Sequence, residues 1–266
     1  MFAWLRIFTL LTLFMGASMA CHAAPPSSSV TLQVYGEPRL VMSYMQKDGQ
    51  AGGLGTELVR AILQQAGFSA NFQLIPWARA AFMTQSQPNA LIYDIVRSQQ
   101  REHQYLWIGQ MMSPTEEWFY RAAGRNEIVP RSVAEVRSSY SVCVLRKNVT
   151  EEILQSDGFV LGKNLFEGDS YNDCARLVKT GAVSLLVDAR LFQDKKADAM
   201  VHPLMDAVLR LPVGSDQQIH VYLAANLESS PLIVAQLQKA LAQLQASGRL
   251  EQIQREFELD FIKSAN

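Results

Sequence analysis

The chain has 266 residues with nearly balanced charge, 24 Lys and Arg against 25 Asp and Glu, and 48% hydrophobic residues. That content supports packed cores rather than disorder, and the balance excludes a basic face for nucleic acid. The histidines, at 22, 103, 202 and 220, show no metal-ligand spacing with each other or with the three cysteines, so no metal or cofactor is expected.

Arg6, an apolar run over 7–15 and a small-residue stretch over 16–23 have the three-part layout of a secretory signal peptide. The run is shorter than the ~20 apolar residues that span a bilayer. Cleavage is expected after Ala20 or Ala23, so residues 1–23 are read as a leader and the remainder as soluble and exported. Lipidation at Cys21 is the alternative, against which Ser18 stands where such sites usually carry Leu. With Cys21 removed, Cys143 and Cys174 are left. They are read either as a disulfide, worth ~3 kcal/mol on the chain-entropy model, or as two buried thiols.

In chain order, 31–35 alternates and ends at Gly36 as a first strand. A Gly-rich turn over 52–55 opens a helix to Ala66, with Leu58, Val59, Ile62 and Leu63 on one face and Gly67 as its stop. A second strand over 72–75 leads to Pro76 and Trp77, followed by a short helix over 79–85. The third strand, 90–96, is apolar enough for burial on both faces. This alternation predicts a parallel sheet. An extended crossing over 116–123 follows, and the rhythm restarts with helix 133–137, strand 141–145, helices 150–154 and 172–179, and strand 182–187. A second crossing, 218–224, precedes an amphipathic helix carrying Ile233, Leu237, Leu241 and Leu244, and a last helical segment over 250–257. The expected fold is α/β and two-lobed, the second lobe (121–219) inserted in the first (27–120 and 220–266).

Four pieces, in this order, carry a resemblance: 49–62 (GQAGGLGTELVRAI), 76–80 (PWARA), 97–102 (RSQQRE) ahead of 105–109 (YLWIG), and 241–253 (LAQLQASGRLEQI). The chain resembles the periplasmic solute-binding proteins of the polar-amino-acid ABC importer type, family 3. The resemblance implies a type II periplasmic-binding-protein fold that closes on a small ligand, with one Arg and helix N-termini holding a carboxylate. Arg101 stands at the family's clamping Arg, with Ser98 three residues before it; its planar fork suits a carboxylate. Asn148 falls where the second lobe offers donors at a helix N-terminus. Asp188, placed just after strand 182–187, lies near the acid that meets a ligand's amine. Departures are Asp94, Val96 and Arg97 in place of small hydroxyl residues, and Lys147-Asn148 in place of a Gly-Ser/Thr pair. Arg97 adds positive charge near the cleft.

Each candidate also has a plainer reading. Tyr35 and Glu37 end the first strand, to contact ligand or to pack. Trp77 suits a cleft aromatic or a core. Arg101 could instead pair with a neighbour such as Glu102, Arg97 could be a surface charge, and Asp188 could cap a helix. The function implied is capture of a small polar, carboxylate-bearing, amino-acid-like solute in the periplasm by a monomer, read by an ABC permease or a membrane sensor. Its expected hinges lie near 118–123 and 219–225. The alternative is a periplasmic enzyme of the same fold, cyclohexadienyl dehydratase-like, using Asp188, Glu37 or His103 for elimination. No G-x-S-x-G, H-E-x-x-H or P-loop pattern supports another catalytic class.

Overall fold

Apolar runs punctuated by Gly, Ser and Pro set the elements of the computed structural model, which describes residues 30–264 apart from 40, 113, 193–194 and 214–218. The expected signal peptide and Cys21 lie outside the described residues. The first part holds β1 (Thr31–Gly36), a short hairpin of β2 (Tyr44–Met45) and β3 (Ala51–Gly52), α1 (Leu54–Ala66), β4 (Ser69–Leu74), α2 (Trp77–Ser86), β5 (Leu91–Val96) and β6 (Leu106–Gln110). Then come β7 (Glu116–Ala122), α3 (Val133–Ser139), β8 (Val142–Leu145), α4 (Val149–Ser156), β9 (Leu165–Gly168), α5 (Tyr171–Lys179), β10 (Leu185–Arg190), α6 (Lys195–Val201) and β11 (Met205–Leu211). The chain ends with β12 (Val221–Ala225), α7 (Pro231–Ala246) and α8 (Arg249–Ser264).

Two five-stranded sheets result, ordered β4-β1-β5-β12-β6 and β11-β7-β10-β8-β9. β1 runs parallel to β4 and β5, as the alternation predicts, but β12 runs antiparallel to both β5 and β6 because it enters after the inserted lobe. The crossing between sheets falls between Gln110 and Glu116, ahead of the expected 120, since all of β7 pairs with β10 and β11. The two crossings meet in an antiparallel bridge, Thr115 with Ile219. Residues 116–122, which overlap the expected hinge near 118–123, are paired into the second sheet.

Burial follows the sequence pattern. Leu58, Val59, Ile62 and Leu63 of α1 pack with Leu91 and Tyr93 of β5 and with Leu237 and Leu241 of α7. Gly67 ends α1 in the left-handed region at φ 80, where a Cβ is disfavoured. Ser132 and Ser170 cap α3 and α5 by accepting from Glu135 N and Asp173 N, satisfying otherwise orphaned donors. In the second lobe Phe119, Val142, Val144 and Leu185 form the core on one face of the sheet. The expected strand 182–187 is displaced to 185–190. The Ser184 amide is bonded to Ser141 Oγ at 3.0 Å, so Val183 is buried without joining the ladder.

Cys143 on β8 and Cys174 on α5 are joined as a disulfide, their Cα atoms 5.4 Å apart. The bridge ties α5 to β8, the strand next to the edge strand β9 of the second sheet. Replacing both by Ser is expected to lower unfolding free energy by about 3 kcal/mol in urea titration. An unchanged midpoint would show that the bridge constrains nothing the fold does not already hold.

Candidate functional site: a charged cleft between the lobes

Each sheet has a switch point, where neighbouring parallel strands send their connections to opposite sides. In the first sheet it lies between β1 and β5, in the second between β8 and β10. Ligands in open α/β sheets bind beyond the carboxyl ends of strands at such points. Here the two switch points face one another across a cleft that encloses about 730 Å3, open solvent at its mouth included. Glu37 and Asp94 line it from the first lobe, Asn148 and Asp188 from the second.

Asp94 reaches the cleft through unusual backbone. Between Tyr222 and Ala224 the β5–β12 ladder shifts register, so that Tyr93 and Asp94 oppose Leu223 alone. Asp94 has φ 57 in this bulge, a device that re-aims a side chain. Its carboxylate lies against Gly55, where an added Cβ would come within 2.5 Å of Oδ1. Gly55 is therefore needed for the close approach. Both Asp94 oxygens, and Glu37 Oε1, are buried with no hydrogen-bond partner among the described residues.

Two ion pairs cross the cleft. Arg39 of the first lobe pairs with Asp188 of β10. Arg101 donates from Nε (3.1 Å) and Nη2 (2.8 Å) to Glu152 Oε1 on α4, and from Nη2 to the Lys147 carbonyl at 2.8 Å. Ser98 Oγ donates to the other oxygen, Glu152 Oε2, at 3.0 Å. Trp77 Nε1 reaches the same Lys147 carbonyl at 2.9 Å, and the Arg101 guanidinium lies over the Trp77 ring, 5.5 Å from its centroid. Lys147 holds φ 59, a second strained non-Gly residue at the cleft.

Burial controls the protonation of the remaining acids. Desolvation pushes Glu37 and Asp94 up to about 7 although Arg39 opposes it, and pushes Glu117 to about 8 with help from the Asp188 charge. Burial acts on Asp188 in the same sense, but Arg39 and His202 hold it below the usual carboxylate range. His202 is buried, stacked on Tyr120 at 4.0 Å, with Nε2 3.2 Å from Asp188 and Nδ1 3.4 Å from Asp198. Burial disfavours its charge, yet the two carboxylates raise it to about 9. Among the described residues no group of three or more His, Cys, Asp or Glu is arranged to hold a metal ion.

Of the residues singled out from sequence, Glu37, Trp77, Arg101, Asn148 and Asp188 line the cleft. Ser98 stands at its edge through Glu152. Tyr35 does not: it is buried beside Trp77 and Ala80, its hydroxyl donating to Gln87 at 2.8 Å, because its side chain takes the face of β1 that α2 covers. Arg97 faces away as well, paired with Glu102 and lying over Trp107. Glu102, considered as a partner for Arg101, is thus engaged elsewhere. Asp188 sits inside β10 rather than at a helix start, and Trp77 opens α2 rather than ending a strand. His103 is exposed. Arg39, Asp94 as a cleft acid, Glu117 and Glu152 were not anticipated. Asp94 carried the clearest signal, an acid inside the apolar run Leu-Ile-Tyr-Asp-Ile-Val.

The raised groups fix the sign of the pH dependence. Glu37, Asp94 and Glu117 keep protons in the folded state that the unfolded chain releases near pH 4–4.5, so their contribution declines as pH rises through about 7 to 8. His202 contributes below its unfolded value of 6.5, and that contribution is lost through about 9. The melting temperature of the ligand-free protein should therefore fall steadily from about pH 5 to about pH 9, less steeply in Glu117→Gln. A melting temperature that rises over that range would contradict the assigned burial.

The sequence profile of the bacterial extracellular solute-binding proteins, family 3, matches residues 35–259. No curated protein matches the chain in sequence. Similar solved structures include a histidine kinase sensor domain with similarity to periplasmic binding proteins (TM-score 0.73, 19% identity, 86% of this chain and 96% of that one). Another is the arginine-, lysine-, histidine-binding protein ArtJ from Geobacillus stearothermophilus (TM-score 0.72, 14% identity, 88% and 99%). A third is an ancestral amino acid-binding protein, a precursor of cyclohexadienyl dehydratase (TM-score 0.70, 13% identity, 85% and 94%). These likenesses show the two-lobed periplasmic-binding-protein fold. With most of its length matched by the family profile, the chain belongs to the bacterial extracellular solute-binding proteins, family 3.

Proposed function

We propose that this protein is a periplasmic receptor that captures a small polar solute between its lobes and presents the closed form to a membrane partner, an ABC permease or a sensor. One observation supports this above others: charged side chains from both lobes converge on a single cleft at facing switch points, among them Glu37, Asp94 and Asp188. A solute contacting both walls favours the closed state through its differential affinity for it. Glu37, Trp77, Arg101, Asn148 and Asp188 are the ligand-facing residues in this reading, with Ser98 acting through Glu152. A carboxylate-bearing, amino-acid-like ligand would meet the Arg101 fork only by exchanging with Glu152.

A second reading rests on the buried carboxyls. Glu37, Asp94 and Glu117 hold protons near neutral pH, as general acids do, and the same cleft would then serve an elimination. A thermal-shift panel of amino acids, amines, dicarboxylates and small peptides separates the two. The receptor reading predicts that at least one compound at 100 times its Kd stabilises by about 2.7 kcal/mol and is recovered chemically unchanged. Turnover of the stabilising compound would favour the enzyme, and no shift with any class would remove the receptor.

A further inference from the structure

The clamp that the family resemblance assigns to a ligand's carboxylate is already filled from within. Arg101 is 6% exposed, and its Nε and Nη2 are spent on Glu152 Oε1 and the Lys147 carbonyl. Ser98 takes Glu152 Oε2. Glu152 therefore satisfies the same Arg and hydroxyl pair that would receive a guest carboxylate. The remaining Nη1 has only Val96 O at 3.5 Å, too few donors for a bidentate grip. A guest carboxylate must evict Glu152, which then becomes an unpaired anion beside the new one. Such an exchange gains little.

What the cleft leaves unpaired is acidic. Arg39 is committed to Asp188. Glu37 is 6% exposed with Oε1 unpartnered, and both Asp94 oxygens are buried without a hydrogen bond. Glu117, equally buried, lines the same space. Among the described residues none of these three has an ion pair. Buried carboxyl oxygens left this way call for a donor, and a cation with several N–H groups supplies both charge and hydrogen bonds.

Resting on the receptor reading, we infer that the cleft selects a small organic cation, an amine or guanidinium compound that lacks a carboxylate, and that Glu152 sets this specificity by occupying Arg101. Entry of the cation ionises Glu37 and Asp94, so binding releases protons near neutral pH, modulated by Arg39, Asp188, Arg101, Glu152 and His202 around the site.

Matched probes test this: agmatine against L-arginine, cadaverine against L-lysine and putrescine against L-ornithine, by calorimetry at pH 7 in two buffers of different ionisation enthalpy. In at least one pair the amine should bind at least about tenfold more tightly than its amino acid, with proton release. Glu152→Gln should narrow that gap by raising the affinity of the amino acid. Tighter binding of the amino acid to the wild-type protein, lost in Arg101→Ala, would overturn the inference and leave the receptor reading intact. Closure on neutral or anionic solutes alone would do the same. The wild-type comparison stands even if a variant fails to fold.

Discussion

Two guanidinium–carboxylate pairs, Arg39 with Asp188 and Arg101 with Glu152, join the lobes across the cleft, and the arrangement of the site depends on them. The covalent crossings pair with each other at the Thr115–Ile219 bridge; the two ion pairs add side-chain contacts between the lobes. Ion pairs of this kind recover only part of the desolvation they cost, so their contribution to stability is small. Their value here is geometric. They fix which carbonyls, carboxylates and aromatic faces oppose one another, and they consume the cations near the cleft, leaving Glu37 and Asp94 without an ion pair among the described residues.

The backbone is strained where these contacts are made. Asp94 and Lys147, one in each lobe, occupy the left-handed region without being glycine, at a cost of order 1–3 kcal/mol each. At Asp94 the strain accompanies a bulge that swings a carboxylate toward the cleft and against Gly55. At Lys147 the carbonyl accepts from both Trp77 and Arg101 of the other lobe. Asp94 lies within β5 and Lys147 just beyond the end of β8, in a fold that also carries serine caps on α3 and α5 and a glycine stop after α1. Asn89 and Leu204, outside the cleft lining, share the left-handed backbone conformation, while Asp94 is in addition held protonated to about pH 7 by burial.

Much of the architecture was legible in the sequence. The apolar period of α1, the doubly buried run of β5, the Gly punctuation and the two extended crossings are local signals, and they gave the α/β rhythm and the two-lobed plan. The pairing of Cys143 with Cys174 was one of two readings left open. What resisted was long-range. Nothing local tells β12 to run antiparallel between β5 and β6, and nothing near Val183 shows that a serine pair delays the next strand. The site was legible in part. Glu37, Trp77, Arg101, Asn148 and Asp188, read from strand ends and from the family resemblance, line the cleft. Tyr35 was misplaced because period-2 alternation does not say which face of a doubly covered strand meets the cleft. Glu152 was invisible because its partner lies 51 positions away in the other lobe.

Family membership settles the frame of a solute-binding protein without settling what enters it, and relatives sharing this fold at 13 to 19% identity include a kinase sensor domain and an amino acid-binding ancestor of an enzyme. Side-chain chemistry inside the cleft is what distinguishes them. The central claim is that the Arg39–Asp188 and Arg101–Glu152 pairs hold the two walls of the cleft together. Small-angle scattering of ligand-free wild type beside Arg39→Ala/Glu152→Gln tests it most directly. The account predicts a compact wild type and a larger radius of gyration for the double variant; two proteins with the same radius would contradict it.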